Sequence, residues 1–188
     1  MGGFVLVVGP SGAGKDTLLG LARAKLAADP RFEFPKRIVT RASSPWEDHD
    51  TLDEAAFEAA EREGRFALSW RAHGLRYALP ITTIDAVRRG YVVICNVSRQ
   101  VITPGRLLLP DVLVVEVTAP PEILLARLAA RGRKEDGDLK ARLSRSAEIV
   151  GIAPELIIEN TGTPEAGAAE LIRFLVHRAA LSSAAAHA

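Results

Sequence analysis

Short apolar runs alternate with amphipathic segments along most of the chain. Runs at 4–8, 91–96 and 112–118 are rich in Val and nearly free of charge, which predicts strands buried on both faces. A shorter run at 156–159 predicts one more strand, and a helical pattern closes the chain at 165–180. Because strands and helical segments alternate, the pattern predicts an α/β fold in three layers, with helices on both faces of a central parallel sheet.

Residues 41–80 depart from this alternation. A polar stretch with Pro45 precedes a predicted helix at 53–63 and two short strands, at 65–71 and 75–78, that fit a hairpin. The other predicted elements are a strand at 36–40 and helices at 80–90 and 139–150. Since no linker separates these parts, we expect one domain, 1–188, with 41–80 as a small insertion.

Composition narrows the class of protein. The chain has 188 residues, 48% of them hydrophobic and 25% charged, as in an ordinary soluble domain. A net charge of +1 argues against a dedicated nucleic-acid binder. The one cysteine, Cys95, excludes an intramolecular disulfide, and its apolar surroundings predict a buried, inert thiol. No apolar run is long enough for a signal or a membrane span, so we expect a cytoplasmic protein.

A glycine-rich loop follows the first strand and precedes a helical pattern. Its residues are Gly9, Pro10, Ser11, Gly12, Ala13, Gly14, Lys15, Asp16 and Thr17. A strand, a glycine loop ending in Lys and a helix are the context of a phosphate-binding P-loop. Glycines let backbone N–H groups approach phosphate oxygens, while Lys15 and the helix N-terminus supply positive charge. The sequence therefore predicts a nucleotide site.

Asp16 departs from the usual loop pattern, in which Ser or Thr follows the Lys directly. Here the hydroxyl comes one residue later, at Thr17. A hydroxyl at this place normally ligates Mg²⁺, and a carboxylate is also a Mg²⁺ ligand although it repels phosphate. We expect Asp16 to bind the metal with help from Thr17. The alternative is that Asp16 is a first-turn helix residue favoured by the helix dipole.

Basic residues crowd a second region near a turn that contains two glycines. They are Arg127, Arg131, Arg133, Lys134, Arg142 and Arg145. A solvated charged face would explain them if they stood alone. In a chain with a P-loop, arginines on a closing flap would neutralise the charge that develops during phosphoryl transfer. We therefore expect a short arginine-rich lid at 131–142.

These features resemble the guanylate kinase-like branch of the P-loop kinases along nearly the whole chain. The matching residues outside the loop are Thr40, Arg41, Glu47, Trp70, His73, Gly74, Tyr77, Arg131, Gly132, Arg142 and Asn160. The resemblance implies that Arg41 and Tyr77 hold the phosphate of the acceptor. It also implies that Arg131 and Arg142 bind the phosphates of ATP, with Asn160 close to the adenine.

Two departures from that pattern concern the base. Guanylate kinases read guanine with a glutamate where this chain has Ser69, and with an acidic residue after the central strand where it has 96–99, Asn-Val-Ser-Arg. Without those carboxylates the N–H donors of guanine would stay unpaired, at a cost of roughly 1–3 kcal/mol each. A GMP kinase is therefore the less favoured alternative.

The departures themselves resemble the ribose 1,5-bisphosphate phosphokinases, a family associated with phosphonate breakdown. Shared features are Gly14-Lys15-Asp16, Thr40-Arg41, Asp48-His49, the stretch Phe-Ala-Leu-Ser-Trp-Arg-Ala-His-Gly-Leu at 66–75, Asn96 followed by Ser98-Arg99, and Arg131-Gly132-Arg133. The resemblance implies transfer of the γ-phosphate of ATP to the 1-phosphate of ribose 1,5-bisphosphate, which gives 5-phosphoribosyl 1-diphosphate. The acceptor is an already ionised phosphate oxygen, so no general base is required.

The same resemblance implies the roles of individual residues. Lys15 would bridge the β- and γ-phosphates, and Arg131, Arg133 and Arg142 would close over the γ-phosphate. The acceptor-binding set is Arg41, Glu47, His49, Trp70, Tyr77, Ser98 and Arg99. Trp70 has a core position as its alternative, and His49 and Arg99 could equally be surface residues.

Two further classes remain as rivals. A catalytically inactive guanylate kinase-like binding module would tend to lose Lys15 and the lid arginines, which are present. A P-loop regulator without an acceptor would not need the 41–80 insertion. We expect ATP and ribose 1,5-bisphosphate as small-molecule partners, Mg²⁺ as cofactor, no nucleic-acid or membrane partner, and a monomer or homodimer.

Overall fold

The structure is a computed structural model that describes residues 2–42, 49–72, 74–131 and 153–184. The strands of its main sheet are β1 (Gly3–Val8), β2 (Phe32–Glu33), β7 (Val92–Asn96), β8 (Val112–Thr118) and β9 (Leu156–Glu159). They pair in the order β2-β7-β1-β8-β9, and every pair is parallel. Because parallel strands end at the same edge, the loops after β1, β7 and β8 meet there.

A second sheet stands beside the first. Its strands are β3 (Arg37–Val39), β4 (His49–Thr51), β5 (Phe66–Ala72) and β6 (Leu75–Pro80), in the order β4-β3-β6-β5. Strand β3 is parallel to β4 and antiparallel to β6, while β5 and β6 form a hairpin that turns at Gly74, whose φ is 74°. This sheet includes β3, which precedes residue 41.

The helices of the described residues are α1 (Lys15–Leu26), α2 (Glu54–Arg62), α3 (Thr82–Arg88), α4 (Ile102–Leu108), α5 (Pro121–Arg131) and α6 (Pro164–Ala184), with a 3₁₀ turn at Arg99–Val101 before α4. In this part of the chain no helix is long and apolar enough to cross a membrane.

Alternation along β1 builds two cores. Val5 and Val7 pack with α1, α5 and α6 on one face, whereas Phe4, Leu6 and Val8 pack with α3, α4 and the second sheet on the other. Successive strand residues point to opposite faces, so a charge-free strand buried on both sides serves both cores. The result is the predicted three-layer α/β architecture with a central parallel sheet.

Helix α2 is held to the second sheet by charge. Arg76 of β6 pairs with three carboxylates of α2, Glu54 at 2.9 Å, Glu58 at 2.5 Å and Glu61 at 3.6 Å. Ser69 of β5 donates a hydrogen bond of 2.6 Å to Glu61. The position where guanylate kinases carry a base-reading glutamate therefore serves here to attach α2.

Most of the predicted elements are confirmed, and β8 and β9 have the predicted bounds. No strand was predicted in the polar stretch with Pro45 that precedes α2, yet His49–Thr51 at its end forms β4. The helix predicted from residue 80 begins at Thr82, since Pro80 ends β6, and β2 was not predicted. The helix predicted at 139–150 lies outside the described residues.

Candidate active site

The loop after β1 has the backbone geometry of a phosphate cradle. Gly9, Gly12 and Gly14 have φ angles of 144°, 86° and 92°, a region that L side chains rarely adopt. A Cβ on Gly9 would lie 1.9 Å from the carbonyl oxygen of Val117 in β8, so the loop passes too close to the sheet for any side chain. Helix α1 starts directly after Gly14, which turns its unpaired N–H groups toward the loop.

Lys15 places its charge within this loop. Its Nζ donates hydrogen bonds to the carbonyl oxygens of Gly9, at 2.8 Å, and Pro10, at 2.9 Å. The side chain thus folds back over the loop from the first residue of α1. Together, the glycines, the start of the helix and Lys15 form a site suited to the phosphates of a nucleotide.

Asn160 braces the loop from behind. Its side chain is 5% exposed, and Nδ2 donates a hydrogen bond of 2.8 Å to the carbonyl oxygen of Ala13. The Asn160 backbone is fixed at the end of β9, because its N–H bonds to Thr118 and its carbonyl oxygen accepts from Arg127. A Cβ on Gly14 would lie 2.5 Å from Nδ2, so that glycine makes room for the amide. The predicted contact with adenine stays a prediction.

Asp16 connects α1 to the end of β7. Its Oδ1 accepts a hydrogen bond of 2.6 Å from Nδ2 of Asn96 and lies 3.9 Å from the guanidinium of Arg37 in β3. Its side chain is 44% exposed. Asp16 and Asn96 are both in the motifs shared with the bisphosphate kinases, and here they bond to each other. Coordination of Mg²⁺ by Asp16 and Thr17, which is also exposed, stays a prediction.

One face of the second sheet carries an aromatic and cationic stack. Tyr77 stacks on Trp70 with ring centroids 5.5 Å apart and an interplanar angle of 10°. The guanidinium carbon of Arg37 lies 5.9 Å from the centroid of Tyr77. Trp70 is 8% exposed and belongs to the core cluster around Phe4, which agrees with the core alternative for this residue. Stacking on Trp70 fixes the ring of Tyr77 on the sheet face that carries Arg37.

Arg99 and Glu116 form a partly buried pair at the carboxyl edge of the main sheet. The Nε of Arg99 is 3.6 Å from Oε1 of Glu116, and the two side chains are 12% and 21% exposed. Burial lowers the pKa of the Arg99 guanidinium, and the Glu116 carboxylate opposes that shift. Arg99 is thus not a solvated surface residue, and Ser98 immediately precedes the 3₁₀ turn that carries it.

His49 lies in β4 and is 5% exposed. Its Nδ1 is 3.2 Å from the carbonyl oxygen of Asp50, while Nε2 is buried without a hydrogen-bond partner in the structure described. The solvated alternative for His49 is therefore wrong. A buried imidazole nitrogen without a partner is costly unless something else binds it.

The structure says less about the other predicted residues. Arg41 is half-buried, and its carbonyl oxygen accepts a hydrogen bond of 3.0 Å from Thr51. Arg131 is the last residue of α5. Glu47, Arg133 and Arg142 lie outside the described residues, so their assignment to the acceptor and to the lid stays a prediction.

Sequence reasoning left out three side chains that the fold brings to this site: Arg37, Asn96 and Glu116. Asn96 lies in one of the motifs shared with the bisphosphate kinases, but no role was predicted for its side chain. Arg37 and Glu116 each sit inside a predicted strand, and a charge within an otherwise apolar strand is the signal that could have singled them out.

Comparisons with known proteins identify relatives of this chain. No protein-family model matches the chain. A Methylobacterium radiotolerans protein named ribose 1,5-bisphosphate phosphokinase is 58% identical over 174 residues, which cover 93% of this chain and 97% of the relative. A Brucella abortus protein of the same name is 50% identical over 178 residues, which cover 94% and 91%.

A solved structure supports the fold independently. The crystal structure of guanylate kinase from Anaplasma phagocytophilum matches with a TM-score of 0.67 over 94% of this chain and 85% of that chain. Sequence identity is 17%, so this likeness concerns the fold alone. On the strength of its curated relatives, the chain belongs to the ribose 1,5-bisphosphate phosphokinase family and has the guanylate kinase-like P-loop kinase fold.

Proposed function

We propose that the protein is an ATP-dependent kinase that transfers the γ-phosphate of ATP to the 1-phosphate of ribose 1,5-bisphosphate, giving 5-phosphoribosyl 1-diphosphate and ADP. One observation carries this function: relatives named for this kinase match more than nine-tenths of both chains at 50–58% identity. The P-loop, with Lys15 folded over it, supplies the donor site that the activity requires.

The loop residues fit the triphosphate of a nucleotide. Gly12 and Gly14 have positive φ angles, and a Cβ on either glycine would meet neighbouring atoms within 3.2 Å, so the loop requires glycine at both places. Residues 9–17 would hold the β-phosphate, and Lys15 would lie between the β- and γ-phosphates. Catalysis then consists of alignment and charge neutralisation, with no general base.

Mg²⁺ is the cofactor in this proposal. Among the described residues no group of three or more His, Cys, Asp and Glu side chains could hold a metal ion. Mg²⁺ in kinases usually keeps several waters and uses one or two protein ligands besides the phosphates. Asp16 and Thr17, both exposed at the start of α1, fit that smaller demand. When bound, the ion neutralises charge on the β- and γ-oxygens.

The second sheet is the proposed acceptor side. In the proposal Arg41, His49 and Tyr77 on this side, together with Arg99 after β7, supply polar and cationic groups to the acceptor. In the proposal the chain is one kinase domain, 1–188, in which 41–80 binds the acceptor and 131–142 is a lid whose arginines cover the γ-phosphate. A monomer or homodimer remains the expected assembly.

The test is acceptor-dependent ADP release by the purified protein with ATP and Mg²⁺. Ribose 1,5-bisphosphate, GMP, AMP or no acceptor is added, and ³¹P NMR identifies the product by a second pair of coupled diphosphate resonances besides the pair from ADP. We expect turnover with ribose 1,5-bisphosphate, and loss of turnover in Lys15→Met, which keeps an unbranched side chain of nearly the same length but removes its charge. Turnover with GMP alone would identify a nucleoside monophosphate kinase instead. ATP binding without any turnover would favour a regulator or binding module.

A further inference from the structure

Arg37 lies where the two sheets and the P-loop helix come together. It is the first residue of β3, and its side chain is 18% exposed. On one side its guanidinium faces Asp16, the residue that follows the P-loop Lys, at 3.9 Å. On the other side it lies over the ring of Tyr77, at 5.9 Å from the centroid. Arg37 therefore bridges the donor loop and the acceptor sheet.

Strand register puts Arg37 on the same sheet face as the other candidate acceptor residues. Arg37 is in register with His49 of β4, and Val39, two residues along β3, is in register with Tyr77 of β6. Tyr77 is in turn in register with Trp70 of β5. Residues in register, and residues two apart on a strand, share a face of the sheet.

The opposite face is covered by α2. Ser69 and Arg76 alternate with Trp70 and Tyr77 along their strands, and both contact carboxylates of that helix. The face that carries Arg37 is thus the one turned toward the P-loop.

The contacts of Arg37 leave most of its binding capacity unused. A separation of 3.9 Å from Asp16 is longer than a charge-assisted hydrogen bond, which is about 2.7–2.9 Å. The described residues give the guanidinium this ion pair and the ring contact, but no hydrogen bond. A guanidinium has five N–H donors in a planar fork that matches a phosphate, so the donors of Arg37 are available to a ligand.

His49 supplies a second, independent observation on the same face. Its Nε2 is buried without a hydrogen-bond partner among the described residues. Two adjacent strands in register thus present, on one face, a mostly buried guanidinium with no hydrogen bond among the described residues and a buried imidazole nitrogen without a partner there. A phosphate with its several acceptor oxygens would satisfy both.

We propose that Arg37 binds a phosphate of the acceptor and makes the site specific for a sugar bisphosphate. The inference rests on the proposed function and adds a residue to it. Asp16, held by Asn96, keeps the guanidinium beside the P-loop, and the ring of Tyr77 fixes its plane. A doubly charged phosphate then competes with the long contact to Asp16. The site thereby gains a cation for a substrate that carries two phosphates.

The test compares Arg37→Gln and Arg37→Lys with wild type in the ADP-release assay. Arg31→Gln is the matched control, because Arg31 also pairs with an aspartate, Asp29, and lies over an aromatic ring, Phe32, but sits on the exposed surface near β2. Loss of charged hydrogen bonds to a phosphate predicts that Arg37→Gln raises the KM for ribose 1,5-bisphosphate about 10- to 100-fold. We expect the KM for ATP to stay within about twofold, since Arg37 touches none of the P-loop glycines. Arg37→Lys keeps the charge but loses the planar guanidinium, so its KM for ribose 1,5-bisphosphate should lie between those of wild type and Arg37→Gln. Arg31→Gln should have the KM values of wild type.

Binding without turnover gives a second measurement. The chain has two tryptophans, Trp46 and Trp70. In a Trp46→Phe background the remaining fluorescent reporter is Trp70, whose ring stacks on Tyr77. Titration with ribose 1,5-bisphosphate in the absence of ATP should change Trp70 fluorescence, and Arg37→Gln should weaken that binding by the same factor as the KM.

The outcomes separate this inference from the proposed function. If wild type turns over ribose 1,5-bisphosphate and Arg37→Gln leaves the acceptor KM and Kd unchanged, Arg37 does not bind the acceptor. If Arg37→Gln instead lowers kcat and the melting temperature and raises both KM values alike, its role is structural and the inference fails. If wild type itself does not turn over ribose 1,5-bisphosphate, the proposed function fails first, and the inference fails with it.

Discussion

The buried amide of Asn160 should stabilise the P-loop before any nucleotide binds. In Asn160→Ala the carbonyl oxygen of Ala13, itself in a fully buried residue, loses its 2.8 Å hydrogen bond. A buried polar group left without its partner costs about 1–3 kcal/mol. A loss of about 2 kcal/mol would lower the melting temperature of a domain of this size by about 4–8 °C. Asn160→Asp should cost more, because it sets a carboxylate oxygen against that carbonyl.

Urea unfolding of the ligand-free protein measures this effect as a lower midpoint at constant m-value. Ser69→Ala is the control, since it removes a hydrogen bond of 2.6 Å to the exposed Glu61, and we expect less than about 1 kcal/mol there. The KM for ATP should rise in Asn160→Ala, because a loosened loop must be ordered at the cost of binding energy.

If Asn160→Ala unfolds within about 0.5 kcal/mol of wild type yet raises the KM for ATP, the amide contacts the nucleotide rather than bracing the loop. If both quantities are unchanged, neither role holds.

Three other predictions test the packing around the site. Gly9→Ala should destabilise the protein by at least about 3 kcal/mol and abolish turnover, because its Cβ would lie 1.9 Å from the Val117 carbonyl oxygen. Gly20→Ala is the control: no atom lies within 4 Å of its Cβ in the middle of α1, so it should stabilise the protein by up to about 1 kcal/mol. Equal melting temperatures for the two variants would contradict the geometry. Arg76→Met should destabilise the protein by about 1–3 kcal/mol in urea unfolding and remove part of its salt dependence, because three α2 carboxylates lose a mostly buried cation. An unfolding midpoint that is unchanged at low and high salt would argue against the attachment of α2 to the second sheet through Arg76. Burial raises the pKa of the Cys95 thiol above its ordinary 9.0, so the unfolded chain loses this proton at a lower pH than the folded protein, and the free energy of unfolding falls above pH 9.0. In urea titrations under reducing conditions, wild type should have lost about 1.4 kcal/mol more than Cys95→Ala by pH 10. Parallel pH profiles of the two proteins would show that the thiol is not buried.

Local patterns were sufficient for most of the fold. Strands such as β1 and β8 are long apolar runs, and helix ends carry recognisable glycine and proline signals, so they can be predicted without knowing their neighbours. Strand β2 has two residues and β4 reads His-Asp-Thr, which gives neither a periodic nor an apolar signal. These strands form only because a neighbouring strand offers them hydrogen bonds.

The candidate site was predicted in part for the same reason. The P-loop is contiguous, and its chemistry follows from nine consecutive residues. The partners of those residues are remote: Asn96 is 80 positions from Asp16, and Asn160 is 147 positions from Ala13. Such hydrogen bonds depend on which strands end at the same edge of the sheet. They therefore cannot be predicted from the spacing of residues along the chain.

The three-layer class, the phosphate loop and the family can therefore be predicted from the amino-acid sequence, because each rests on local periodicity or on contiguous motifs. The contacts of Asp16, Arg37 and Asn160 depend instead on how the chain folds. Strand order and register bring Asn96, Arg37 and Asn160 to the P-loop and Asp16 from different parts of the chain, and that arrangement is a property of packed sheets rather than of any segment alone.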